Sequence, residues 1–356
     1  MEQRNLQNNI VGLEASRLFA RSEINMGVDA FRDSLYAMLK RNTFLNIKFE
    51  NMLDTLGEMS RTDLYSYLKE WEQLTPLPFY SIGEPELTKV VNKGGEEFFV
   101  LKVLVSNNSD YDGIIQMNVL QNGWWYQPME DPRARKKVEI AAHTSKEFVS
   151  VWEEQIRDVE INTMVSGNLP YMIRQSIGNV KQERNKIVKD TIYTLPESSL
   201  EMPGEVIVDN EDSTLFVLST PAVVGLLPKW LDKVEDTSFK YSGISWWRAP
   251  LQWTATTNAK YYGKYIRSAY VIKSGDGSQT ATWKIPVPEA GQYELYYHVF
   301  KDDELRWNDR LQGEYHFRVA YDSEMEDAYI NLRKANEGWE QLGTYSVSYT
   351  HLTLPT

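Results

Sequence analysis

Residues 97–120 read Glu97-Phe-Phe-Val-Leu-Lys-Val-Leu-Val105, then Ser106-Asn-Asn-Ser-Asp-Tyr-Asp112, then Gly113-Ile-Ile-Gln-Met-Asn-Val-Leu120. The first and last of these are strand-like, rich in aromatic and β-branched residues, and the middle one is a cluster of turn formers. Lys93-Gly94-Gly95 is a hairpin signal just ahead of them. Further strands are predicted at residues 137–142, 147–152 and 159–163, at the spacing of a β-sandwich. This unit is expected to span about residues 79–175.

On its N-terminal side the hydrophobic period is that of helices. Leu13, Leu18 and Phe19 fall near one face of a first helix, and Asp29 reads as the N-cap of a second over residues 30–39 carrying Phe31, Leu35, Met38 and Leu39. A third segment, 47–56, stops at Gly57. Ser60-Arg61-Thr62-Asp63 reads as a capping-box variant opening a fourth, with Leu64, Tyr67, Leu68 and Trp71 on one stripe, ended by Thr75-Pro76-Leu77-Pro78. Residues 1–78 are therefore a helical segment, whose apolar stripe must be buried against something. On the other side, the polar stretch 176–204 reads as a linker or surface-wrapping segment. A second β-rich region starts at Glu205, with strands predicted at 280–285, 293–299 and 315–321. In the middle one, Tyr293, Leu295, Tyr297 and Val299 form one row, and Glu294, Tyr296 and His298 the opposite row.

The 356 residues are enough for roughly two or three units, and 42% hydrophobic residues exclude disorder as the general state. Fifty acidic against 38 basic residues, a net charge of −12, disfavour nucleic acid as the main partner. Without cysteine there is no disulfide, thiolate zinc site, iron-sulfur cluster or thiol nucleophile. No signal peptide is visible from Met1 to Arg21, and the uncharged run from Ser213 up to Lys229 holds two prolines and is too short to span a bilayer. The last ten residues, Val347-Ser-Tyr-Thr-His-Leu-Thr-Leu-Pro-Thr356, match one frame of a transposase-type sequencing adapter. The expectation is that residues 347–356 are an artefact, that the native sequence stops near Ser346, that His351 belongs to no biological site, and that Met1 is not a proven start.

The usual catalytic patterns are absent from the sequence. There is no His-Glu-x-x-His helix, no Gly-x-Ser-x-Gly elbow and no phosphate-cradling Gly-rich loop. His143, His298 and His316 stand far apart in strand-like contexts and read as solvent-facing or satisfied histidines. Asp209-Asn-Glu-Asp212 and Asp302-Asp-Glu304 offer hard oxygens for calcium but lack the spacing of a calcium loop, and solvated turns are favoured. Arg133-Ala-Arg-Lys-Lys137 reads as a solvated basic face. The aromatic group Trp246, Trp247, Trp253 and Tyr261, followed by Tyr262, has two readings. These rings pack in a core, or some of them form a platform that stacks on sugar.

Residues 205–346 resemble the golvesin C-terminal-like domain. The resemblance is carried by Glu205-Val-Ile-Val-Asp-Asn-Glu-Asp212, Ala281-Thr-Trp-Lys-Ile-Pro-Val-Pro-Glu-Ala-Gly-Gln-Tyr-Glu-Leu-Tyr296, Tyr315 to Val319, and Glu337-Gly-Trp-Glu-Gln-Leu-Gly-Thr-Tyr345, in that order. That family implies a β-sandwich of carbohydrate-binding type in extracellular bacterial proteins. The chain departs from it in a stretch at about 214–270 that looks like an insertion, and in the loss of the closing strands. Residues 9–78, through Gly27-Val-Asp-Ala-Phe-Arg-Asp-Ser-Leu35, Thr43-Phe44, Leu64 and Lys69-Glu-Trp71, resemble the end of a gluzincin aminopeptidase-like catalytic domain. That resemblance makes the next unit the Ig-like sandwich that follows such a domain. It also puts the zinc ligands and the general base upstream of Met1, so no catalytic, cofactor or metal residue is carried over.

The expected fold is thus multidomain and mainly β: an N-terminal α-helical segment, an Ig-like β-sandwich, and a truncated golvesin-like β-sandwich. The expected function is that of a non-catalytic C-terminal fragment of a bacterial envelope or secreted zinc aminopeptidase-like protein, with polysaccharide or envelope glycan as partner and zinc only in the parent. A free-standing carbohydrate-binding or adhesive surface protein is the alternative. By resemblance the location is periplasmic, cell-surface or secreted.

Overall fold

A computed structural model describes residues 2–66, 68, 76–121, 131–185, 187–198, 200, 204–219, 240–241, 249–301, 313–348 and 351–355. The chain divides into two units, Met1–Glu201 and Met202–Thr356. It is mainly β, with a helical segment at its N-terminus.

The helices of the first unit are α1 (Glu2–Met26), α2 (Val28–Arg41) and α3 (Phe49–Ser60). The residue at the start of α2 is Gly27, not Asp29 as expected. With φ at 86°, Gly27 turns the chain sharply between α1 and α2, a conformation open to glycine at little cost. Asp29 lies instead in the first turn, where its charge suits the helix dipole and pairs with Arg32 at 3.0 Å. Ser60 likewise belongs to the last turn of α3, its hydroxyl donating to the Leu56 carbonyl, and Asp63 is the residue that accepts from the Ser66 N–H. Leu18, Phe31, Met38, Leu53, Leu56 and Leu64 form a small core between the helices.

The strands of this unit are β1 (Tyr80–Ile82), β2 (Glu86–Val91), β3 (Glu97–Asn107), β4 (Gly113–Gln121), β5 (Arg135–Ile140), β6 (Thr144–Trp152), β7 (Ile156–Asn162), β8 (Met172–Ser176), β9 (Val180–Arg184) and β10 (Thr191–Pro196). They make two sheets, β10-β6-β3-β2-β9 with β1 also on β3, and β5-β4-β7-β8. Leu101, Val103, Val105 and Phe148 of the first meet Ile115, Met117, Val119 and Ile161 of the second in one buried core. Each such side chain contributes about 1.5–3 kcal/mol by burial. Residues 97–105 read as an almost unbroken apolar run because both faces of β3 are covered. On the reverse face, Val100 packs with Val90, Val149 and Val188.

Two features correct the sequence reading. The stretch 176–204 is not a linker, since it supplies β9, which runs parallel to β2, and β10, antiparallel to β6, at the two edges of the larger sheet. Edge strands carry many solvent-facing polar residues, which gives them the composition of a loop. The basic cluster is not a bare solvated face either. Lys137 pairs with Glu23 of α1, and Arg133 pairs with Asp131 at 2.7 Å while lying over the Trp152 ring. The Lys137–Glu23 pair, the Arg21–Glu139 pair, and Ala20 and Ile24 packed among Ile114 and Met164 seat α1 on the outer face of the second sheet.

The second unit has β11 (Phe216–Leu218), β12 (Thr254–Thr257), β13 (Ser268–Val271), β14 (Ala281–Pro286), β15 (Gly291–Val299), β16 (Glu314–Tyr321), β17 (Glu324–Asn331), β18 (Gly338–Val347) and β19 (His351–Pro355). The sheet β11-β14-β19-β16-β17 faces the pair β15-β18 across a core that includes Leu295, Val299, Phe317, Val319, Ile330, Tyr345 and Val347, and β12 pairs with β13. The tail read as adapter supplies β19, between β14 and β16. Backbone ladders are tolerant of sequence, and two facing strand edges accept an extended segment whatever its origin.

Candidate functional site

The outer face of β15 and β18 is built by alternation. Leu295, Tyr297 and Val299 point into the core, so Gln292, Glu294, Tyr296 and His298 point out. They stand opposite Ser346, Thr344, Gln341 and Trp339 in register. A bulge at Leu342 lets Gln341 and Thr344, three residues apart, both face outward. Gly338, with φ at 107°, opens β18 immediately before Trp339.

A loop crosses one end of this face. Arg267 donates from Nη1 to the Ala259 carbonyl at 3.1 Å, and the Asn258 N–H donates to the Arg267 carbonyl. Gly263 is required where the loop closes, because a Cβ there would lie 2.0 Å from the Ile266 carbonyl oxygen. The loop delivers Tyr262 edge-on to Trp339, with ring centroids 4.8 Å apart, and His298 meets the same indole edge-on at 5.2 Å. Burial, with the Arg267 charge adding to it, pushes the His298 imidazole down to about 4, so the ring is neutral at neutral pH. Trp339 nevertheless stays 42% exposed, and so does Tyr296, one pleat away along the strands, a distance of about 7 Å. The Tyr296 hydroxyl donates to Glu294 at 2.5 Å. The outcome is two supported, half-open rings set among amides, hydroxyls and a carboxylate.

Of the residues singled out from the sequence, Trp246 and Trp247 lie outside the described residues. Tyr261 is half-buried and packs edge-on against Phe300 at 4.7 Å. Trp253 is half-buried, and its indole N–H is buried without an acceptor. The exposed rings on this face are Tyr296 and Trp339. The alternation of residues 293–299 had already put Tyr296 and His298 in one row. Trp339 could have been found from its place next to Gly338 at the start of a predicted strand.

The acidic stretch 209–212 is a hydrogen-bonded knot. Burial works against the Glu211 carboxylate, yet donation from Lys240 at 2.6 Å, from Ser268 and from Tyr241 at 2.9 Å outweighs it and holds it below the usual range. Asp209 beside it is pushed up to about 6 by burial. Asp212 accepts from the Thr214 N–H and hydroxyl. Among the described residues no group of three or more acidic or histidine side chains is placed to hold a metal ion, and Asp302 to Glu304 lie outside them. His143 sits in the turn before β6 rather than in a strand, bonded to Asp110 at 2.8 Å and Glu197 at 2.7 Å. His316 stacks on Tyr329 and bonds Asp327. No described helix is long and apolar enough to cross a membrane.

No family model matches the chain, and no curated protein matches it. Among solved structures it is similar to a xanthan lyase from Paenibacillus, at 15% identity over 79% of this chain and 25% of that one, with a TM-score of 0.28. The chain spans about a quarter of the length of that enzyme. A likeness this slight assigns no function, which rests on the chemistry of the face itself.

Proposed function

We propose that this chain is a non-catalytic binding part of a bacterial envelope or secreted protein, and that its second unit contacts glycan through the outer face of β15 and β18. The observation that carries the reading is the half-open Trp339 indole, held by Tyr262 and His298, one pleat from the half-open Tyr296. A pyranose ring presents an apolar C–H face to an aromatic ring and hydroxyls to its surroundings. Gln292, Gln341 and Thr344 supply both donors and acceptors for those hydroxyls. Affinity electrophoresis through gels holding different soluble polysaccharides tests it. Retardation of the chain by at least one, lost in Trp339→Ala, is expected; unretarded migration through all of them would remove the proposal.

A second proposal concerns the helical segment. Tyr36, Leu39, Phe44, Leu45 and Phe49 are all more than half exposed, an apolar load that suits the end of a larger domain, as the gluzincin resemblance implies. In that parent the zinc and its ligands lie upstream. The alternative, a free-standing carbohydrate-binding or adhesive protein, makes the same glycan prediction. The gene decides: an in-frame His-Glu-x-x-His before Met1 supports the peptidase parent, and a ribosome-binding site with a true start at Met1 supports the alternative.

A further inference from the structure

We propose that the β15–β18 face takes an uncharged glycan chain and rejects chains that carry uronate carboxylates. This rests on the glycan reading and narrows it. Neither Gly291–Val299 nor Gly338–Val347 contains a lysine or an arginine. A carboxylate is recognised by a guanidinium, an ammonium or a cluster of backbone N–H groups, and the N–H groups of a strand lie in the plane of its sheet, not on the face.

The charges that do lie along the face are negative. Glu294 stands in the outward row beside Tyr296. Where Thr344 and Ser346 end the face, a shallow depression of about 530 Å³ continues from them and is walled by Asp322 and Glu324. Among the described cations toward the opposite end, Lys301 stands two residues past β15 and Lys264 lies over the Tyr265 ring, while the others are engaged more closely. Arg267 donates to the Ala259 carbonyl, Lys260 pairs with Glu337 at 3.6 Å, and the His298 imidazole is uncharged at neutral pH. The strands run for about 20 Å between the Gln292–Ser346 and His298–Trp339 pairs, enough for several consecutive sugars to lie within a Debye length of Glu294, about 8 Å at 0.15 M salt. What the face offers instead is neutral: two rings, two amides and two hydroxyls.

The test compares galactomannan, a neutral polymer, with polygalacturonate, a uronate polymer, by affinity electrophoresis and titration calorimetry on the full chain at 0.15 M salt. At least tenfold weaker binding of polygalacturonate is expected, with the gap narrowing in Glu294→Gln and at higher salt. Polygalacturonate binding as well as or better than galactomannan, and lost in Trp339→Ala, overturns the charge inference while leaving the glycan reading intact. Failure of both polymers and of every other glycan tried removes the glycan reading and this inference with it.

Discussion

Tyr262 meets Trp339 edge-on, centroid to centroid at 4.8 Å, although the two residues are 77 positions apart. One ring comes from a loop and the other from a strand, and the contact fixes the indole in place while leaving part of it open. Such a pair contributes about 0.5–1.5 kcal/mol beyond simple burial. Tyr262→Ala is therefore expected to weaken glycan retention several-fold by loosening Trp339, and Trp339→Ala to abolish it. Both variants should keep the far-ultraviolet circular dichroism of the parent. Equal retention by all three proteins would show that this face is not where glycan binds.

In the first unit, the Tyr80 hydroxyl is buried with no hydrogen-bond partner, and burial raises its pKa far above the ordinary tyrosine range. An orphaned buried hydroxyl costs about 1–3 kcal/mol. Tyr80→Phe should raise the urea midpoint of this unit or leave it unchanged. Gly113→Ala should do the opposite, because a Cβ there would sit 1.8 Å from that same hydroxyl and 2.7 Å from Pro78. Overpacking of this kind costs about 1–3 kcal/mol. A lower midpoint for Tyr80→Phe would mean that the hydroxyl has an acceptor in solution.

His143 and His298 are expected to pull stability in opposite directions with pH. Hydrogen bonds to Asp110 and Glu197 raise the pKa of exposed His143 above its unfolded value. Its contribution is fully present below about pH 6.5 and is lost as pH rises through the folded value. Burial, then the charge of Arg267, lowers His298 to about 4. Its contribution is present above about pH 6.5 and is lost as pH falls through about 4. Imidazole resonances followed by NMR should show the two titrating on either side of a free histidine, with Glu197→Gln shifting only His143.

Ending the chain at Ser348 removes β19 and leaves β14 and β16 each with an unpaired edge. Exposed edges template association between copies. Light scattering should show concentration-dependent oligomers for the shortened chain that the 356-residue chain lacks, while Phe148 and its neighbours in the first unit unfold at the same urea concentration in both. Monodisperse behaviour of the shortened chain would mean that those edges are already protected.

The change of hydrophobic period at Pro78, from helical spacing to strand alternation, was legible without coordinates. So were the hairpin after Val91 and the in-and-out rows of residues 293–299, because local sterics and solvent alone impose those periods. Tertiary structure decided what period cannot express. Residues 180–184 and 191–196 carry an edge strand's composition, and only the neighbours β2 and β6 make them strands. Whether Tyr261 faces solvent or protein depends on its packing against Phe300, and the proposed glycan face sets Tyr296 and Trp339, 43 positions apart in the chain, on one side of two paired strands. A one-dimensional pattern states which side of a strand a residue takes, but not which distant residue shares that side, and a binding face consists of such sharing.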